Sequence, residues 1–228
     1  VQERRRRAAL TAGDWWTADL RAGLSVAFDE WKGRGGHLSL AGDIDRRLLD
    51  DRVSLRGGAA GWWSAGSGPF HVVSGRISAR TSAAEPEGLL LRGDVSYDAA
   101  SARAPFALWP GAGTGAGRSP LLRGHPLLRD GLIVVDRAFG PRLLRGGLEM
   151  EVPLASIGPL RLRTAAFVDW ARVLATRHAP AARAFGGVGV GLRLRLPGSA
   201  QALRADIATP WGAARLRLSA GWQARWPS

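Results

Sequence analysis

The chain has 228 residues, 46 % of them hydrophobic, no cysteine and a formal net charge of +13. The apolar content excludes a disordered chain, and the missing thiols exclude a disulfide framework or a thiolate metal site. No apolar run reaches the roughly 18 residues that a membrane-spanning helix needs.

Taken in order, residues 1–14 hold the run Arg4-Arg5-Arg6-Arg7 and are expected to form a ragged N-terminal segment or turn. The chain starts at Val1 and not at a Met, so it is expected to be a fragment or a processed piece, and its lack of a leader says nothing about export. From Trp16 to Asp29 apolar and polar residues alternate, with Trp16, Leu20, Leu24, Val26 and Phe28 on one side and Asp19, Arg21, Ser25 and Asp29 on the other. Strands send successive side chains to opposite faces, so this period of two predicts a strand that is apolar on one face only. Lys32-Gly33-Arg34-Gly35 predicts a turn, and His37 to Asp45 the returning strand. Val53 to Trp63 and Val73 to Thr81 predict a second pair, and Leu89, Leu91, Val95 and Tyr97 mark a fifth strand. The alternation then stops. Residues 99 to about 141 are rich in Ala, Gly, Ser and Pro and predict one long loop. Its glycines, 111 to 117, lack the lysine and the helix start of a phosphate-binding loop.

The stretch Arg142–Trp226 carries five more alternating runs. In the last of them Leu216, Leu218, Ala220, Trp222 and Trp226 interleave with Arg215, Arg217, Ser219, Gln223 and Arg225. The expected connections are Ala155 to Pro159, about Ala171 to Ala184, Pro197 to Ala200 and Pro210 to Ala213. All but one of the 32 basic residues are arginine, Lys32 being the exception. They alternate along strands instead of gathering in a tail, so no nucleic-acid partner is expected. About ten strands with one uncharged face predict an all-β fold, a transmembrane antiparallel β-barrel, because an arginine facing mid-bilayer costs roughly 2–4 kcal/mol. Tryptophans 15, 16, 31, 62, 63, 170, 211 and 226 fall at strand ends, as in an interfacial girdle. A soluble β-sandwich alternates too, but it gives no reason for that placement.

One constellation stands out. Arg123-Gly124 lies in the long loop, while Glu149 and Asp169 fall on the charged faces of the next two strands. A loop folded into the lumen lets the arginine meet both carboxylates. Lumenal charges with no shared contact are the alternative, and Glu151 also points inward and competes with Glu149. His37, His71, His125 and His178 show no metal-ligand spacing, and there is no nucleophile–base–acid set, so no metal, no cofactor and no enzymatic activity are expected.

Leu122-Arg123-Gly124, Glu149 four residues before Pro153, Phe167-Val168-Asp169, the run from Gly187 to Leu192, Asp206-Ile207-Ala208 and the final aromatic-ended strand occur in this order. In these elements the chain resembles the bacterial surface antigen family, the barrel of the outer-membrane assembly and two-partner secretion superfamily. The resemblance implies a sixteen-stranded barrel in the bacterial outer membrane, of which residues 15–228 are the C-terminal part. It implies a lumen-folding loop whose Arg123 pairs with Glu149 and Asp169, and a seam that opens sideways beside Leu216 to Trp226. The implied partners are the lipid bilayer, unfolded outer-membrane or secreted polypeptides, and periplasmic POTRA domains upstream. A two-partner secretion pore, the membrane anchor of an upstream surface enzyme and a passive channel are the other roles open to such a barrel. Two positions depart from the family: His125 stands where an aromatic is usual, and Pro227-Ser228 follow Trp226.

Overall fold

The computed structural model describes residues 5–66, 68–82, 87–114, 122–125, 127–129, 132–133, 138–175, 182–195, 201–213 and 215–224. The strands are β1 Arg5–Thr17, β2 Leu20–Trp31, β3 Gly35–Leu48, β4 Val53–Trp63, β5 Phe70–Arg80, β6 Leu90–Ala100, β7 Leu128–Arg129, β8 Leu132–Ile133, β9 Arg142–Ile157, β10 Leu160–Val173, β11 Arg183–Arg195, β12 Gln201–Pro210 and β13 Arg217–Ala224. A 3-10 turn, Phe106–Leu108, follows β6, and no described helix is long and apolar enough to cross a membrane. Eleven strands form one antiparallel sheet in sequence order, and β7 pairs with β8 inside the long loop. β6 pairs directly with β9, so the loop of residues 101–141 leaves and re-enters between neighbouring strands. β1 and β13 are the two edges of the described sheet.

Several expected boundaries shift. The stretch expected as a ragged start or turn is β1 from Arg5 onward, paired with β2 from Arg5 opposite Trp31 to Thr17 opposite Leu20. The run Trp16–Asp29 is not one strand, because the chain reverses at Ala18-Asp19. The alternation hides this tight turn, since it keeps phase through it. β9 continues through Ala155 to Ile157, where a connection was expected, and turns at Gly158, whose positive φ of 56° suits a residue without a side chain. Pro153, unable to donate to the ladder, sits at a register shift opposite Leu162/Arg163. The expected connection Pro197 to Ala200 lies outside the described residues, as do residues 115–117 of the glycine-rich run.

The two faces of the sheet face opposite solvents. Leu148, Val190 and Leu218 are 64 %, 58 % and 82 % exposed, while Asp29, Glu151 and Arg193 are 0 % exposed. In a protein surrounded by water on all sides this would be inside out. It is the partition of a barrel wall, with apolar side chains outward and charges lining the interior. The long loop fills part of that interior: Ala112, Leu122 and Ala138 pack with Leu143, Ala171 and Val173 of the wall.

The tryptophans divide between the faces, which corrects the expectation that all serve as a girdle. Trp31 and Trp62 are 2 % and 3 % exposed and point inward, where Asp29 accepts hydrogen bonds from Trp62 Nε1 at 2.6 Å and Arg5 Nε at 2.7 Å. Trp15 stacks under Arg47, 4.4 Å from its guanidinium. Trp63, Trp170 and Trp211 keep the girdle position on the side of the long loop, each ring lying over a glycine: Gly61, Gly146 and Gly186. Trp16 stands exposed beside the β1–β2 turn, and Trp226 lies outside the described residues.

This partition gives a graded expectation. Val190→Arg, in the middle of the outward face of β11, should cost roughly 2–4 kcal/mol, against about 0–1 kcal/mol for Ala184→Arg near the loop-side end. Urea titration of the folded fraction in phospholipid vesicles measures both; equal costs would mean that no hydrocarbon layer touches this face.

Candidate functional site

The loop enters the lumen at Leu122 and is held there by the residue that follows. Arg123 donates from Nε to Asp169 Oδ2 at 2.8 Å and from Nη2 to Oδ1 at 2.7 Å, a two-pronged contact, while its backbone N–H reaches Oδ2 at 3.1 Å. Its third guanidinium nitrogen, Nη1, donates to Glu149 Oε2. The guanidinium carbon lies 3.3 Å from the centroid of the Phe167 ring, adding a cation–π contact. All three charged residues are buried: Arg123 is 5 %, Glu149 6 % and Asp169 3 % exposed. Burial by itself would weaken the Arg123 charge. The hydrogen bonds it donates to Asp169 and the field of Glu149 overcome this and raise the pKa of this loop arginine above its ordinary value.

Local sequence explains why the arginine fits. Glu149 is opposite Phe167 in the β9–β10 ladder, and Phe167 is opposite Gly189 in the β10–β11 ladder. A Cβ on Gly189 would lie 2.5 Å from Phe167 Cζ, so the glycine leaves room for the ring on which Arg123 stacks. Gly124 presses its backbone against β12, where an added Cβ would lie 3.1 Å from Pro210 N. His125, in the position where an aromatic was expected, takes that role. Its ring meets Phe185 edge-on at 5.7 Å and its Nε2 lies 2.9 Å from the Gly186 carbonyl oxygen.

The three residues are part of a larger lattice. Glu149 also accepts from Arg193 Nε and Nη2, both at 3.0 Å, and from Arg92. Arg193, fully buried, donates onward from Nη1 to Asp206 Oδ1 at 2.6 Å, and Arg204 shares that carboxylate. Glu151 does not compete for Arg123. It shares Arg92 with Glu149 and meets two further arginines, Arg195 Nη2 at 2.9 Å and Arg163 Nε at 3.3 Å. Charge therefore runs without interruption across β6, β9, β10, β11 and β12. A buried pair of this kind is favourable only when further hydrogen bonds saturate it, as Arg123 and Arg193 do here.

Alternation with Leu91, Leu192 and Ile207 puts Arg92, Arg193 and Asp206 on the inward faces of their strands but does not assign them to the site. Their period of two was the available signal; their partners depend on the register of strands that sequence does not align. Of the seam residues, Leu218, Ala220 and Trp222 lie on the outward face of β13. Leu216 is exposed but precedes the strand, which begins at Arg217, and Trp226 lies outside the described residues. Among the described residues no group of three or more His, Asp or Glu side chains is placed to hold a metal ion.

Glu149 retains Arg92 and Arg193 when Arg123 is removed, but Asp169 loses a two-pronged partner. Arg123→Ala should therefore cost about 3–5 kcal/mol, the range for orphaning a buried charge. The double variant Arg123→Ala/Asp169→Asn should recover part of that loss. Temperature-dependent gel migration in detergent reads both, and an Arg123→Ala barrel as heat-resistant as the parent would remove the loop contact from any role in stability.

No family model matches the sequence, and a search of curated proteins finds no match. Solved structures do match. BamA from Haemophilus ducreyi, in a form lacking POTRA domains 1–3, superposes with a TM-score of 0.67 at 14 % identity over 97 % of this chain and 55 % of that one. CdiB from Acinetobacter baumannii superposes with a TM-score of 0.58 at 13 % identity over 96 % of this chain and 41 % of that one. The chain thus spans about half the length of the structures it matches. The expected fold is the fold observed: the described strands form one antiparallel sheet that superposes on the β-barrels of these two proteins, and the chain is built as part of such a barrel.

Proposed function

We propose that this chain is the barrel portion of a bacterial outer-membrane machine that inserts other polypeptides into that membrane or passes them across it. The observation that carries the reading is the loop arginine, held inside the wall by Glu149 and Asp169 in a sheet that superposes on BamA and CdiB. The site acts as a plug and a brace: the described part of the loop fills part of the lumen, and the ion lattice ties β9 to β12.

β13 supplies the working edge. On one side it pairs with β12; on the other it is an edge of the described sheet. An open strand edge presents a row of backbone donors and acceptors, a template onto which an unfolded substrate adds a strand. The substrate's own folding and its burial in lipid supply the driving force. POTRA-type domains upstream in the full-length protein would deliver it from the periplasm. The likeness to CdiB favours, as the second reading, a pore dedicated to one secreted passenger. The buried charges and the described part of the loop inside the wall weigh against a passive wide channel. A membrane anchor for an upstream enzyme has no feature in its favour.

Reconstitution tests the choice. Full-length protein in vesicles should convert a urea-unfolded small outer-membrane barrel into a protease-protected, heat-modifiable product, and Arg123→Ala should slow this several-fold. Passage of a passenger without insertion of the barrel substrate would favour the secretion pore. A large, steady conductance unaltered by Arg123→Ala, with neither activity, would overturn the proposal.

A further inference from the structure

The outward face of the β9–β10 hairpin is uncharged from Leu144 to Leu154 and from Leu160 to Trp170. Above it, at the loop-side end, the next outward residues on the two strands are both arginines, Arg142 and Arg172. Both are exposed, while their chain neighbours Leu143, Ala171 and Val173 are at most 1 % exposed and face inward. Alternation therefore fixes both arginines on the outer wall.

They stand next to each other. Arg172 is opposite Leu144 in the β9–β10 ladder, and Arg142 is two residues further along β9. Diagonal neighbours of this kind have Cβ atoms roughly 7–8 Å apart, within reach of two long side chains. Tyr97, also opposite Leu144 but on β6, borders the pair on the same face, and the Trp170 ring lies below it over Gly146. Other outward arginines have acids: Arg6 lies 4.0 Å from Glu30, and Arg46 lies 2.9 Å from Asp19. Among the described residues no carboxylate engages Arg142 or Arg172. Two like charges thus sit side by side, at the upper rim of the uncharged band, with no counter-charge from the described protein.

We propose that Arg142 and Arg172 clamp the phosphate of a lipid headgroup in the leaflet beside the loops. Planar guanidiniums match phosphate oxygens with paired hydrogen bonds, and Trp170 and Tyr97 occupy the level where amphipathic rings meet headgroups. A free phosphate ion would satisfy the same charges. The uncharged wall directly below the clamp provides a bed for acyl chains, and this selects a lipid as the occupant. The inference rests on the barrel fold and not on the transport reading.

Native mass spectrometry of the full-length protein in detergent provides the test, with bisphosphorylated lipid A, its dephosphorylated form and inorganic phosphate as probes. The parent protein should retain the bisphosphorylated lipid in preference to the dephosphorylated form. Arg142→Gln/Arg172→Gln should weaken that retention by about tenfold or more, the change expected from losing one charge-assisted hydrogen bond. Arg6→Gln should leave it unchanged. Heat-shifted gel migration reports folding of each variant, and the single variants Arg142→Gln and Arg172→Gln carry the test if the double variant does not fold. Undiminished retention in folded variants, an equal loss in Arg6→Gln, or inorganic phosphate displacing the lipid from the parent protein would each overturn the proposal.

Discussion

Everything in this structure follows from a sheet whose two faces meet different solvents. In hydrocarbon no water is present to satisfy a backbone amide, so each wall strand must pair with its neighbours, and the outward side chains must be apolar. The inner strands of the main sheet pair on both sides, β1 and β13 form its margins, and the outward charges, such as Arg46, Arg142 and Arg172, stand near strand ends. The inward face is under the opposite pressure. Its charges must be neutralised at close range or solvated, and the paired arginines and acids of β6 to β12 are the solution this chain adopts.

That solution also explains why the loop belongs to the wall and not only to its surface. Glu149 is surrounded by Arg92, Arg123 and Arg193, two from the wall and one from the loop. The loop cation thus completes a charge pattern that the strands leave short on the Asp169 side. Leu122 adds apolar packing against Leu143, Ala171 and Val173, so the insertion is stabilised by burial as well as by charge. The start of the loop is tied at a second place, where Ala104 joins the buried cluster of Trp62, Phe70 and Ala100. A loop fastened at two places on the same side of the wall braces strands far apart in the sheet, β4 to β6 at one place and β9 to β12 at the other.

The two-sided wall imposes order on the outside as well. On the loop side, the indole rings of Trp63, Trp170 and Trp211 lie over outward glycines at the level where headgroups begin. The pair of arginines above Trp170 sits at this boundary, where a positive charge is still in contact with water and anionic headgroups.

The sequence by itself determined the solvent partition. The period of two in runs such as Gly187 to Leu196 and Leu160 to Asp169 assigns a face to each residue, because alternation is a property of a single strand and needs no partner. For the same reason Arg123, Glu149 and Asp169 were legible as a group, two on inward faces and one in a long loop between strands. Only tertiary structure decided who meets whom. Register is a relation between strands, so nothing in the local pattern could pair Arg193 with both Glu149 and Asp206, give Glu151 Arg163 and Arg195, or bring Trp62 of β4 onto Asp29 of β2. The same limit hid β1: its alternation runs in phase through the turn at Ala18-Asp19, and only pairing with β2 shows that the chain has reversed.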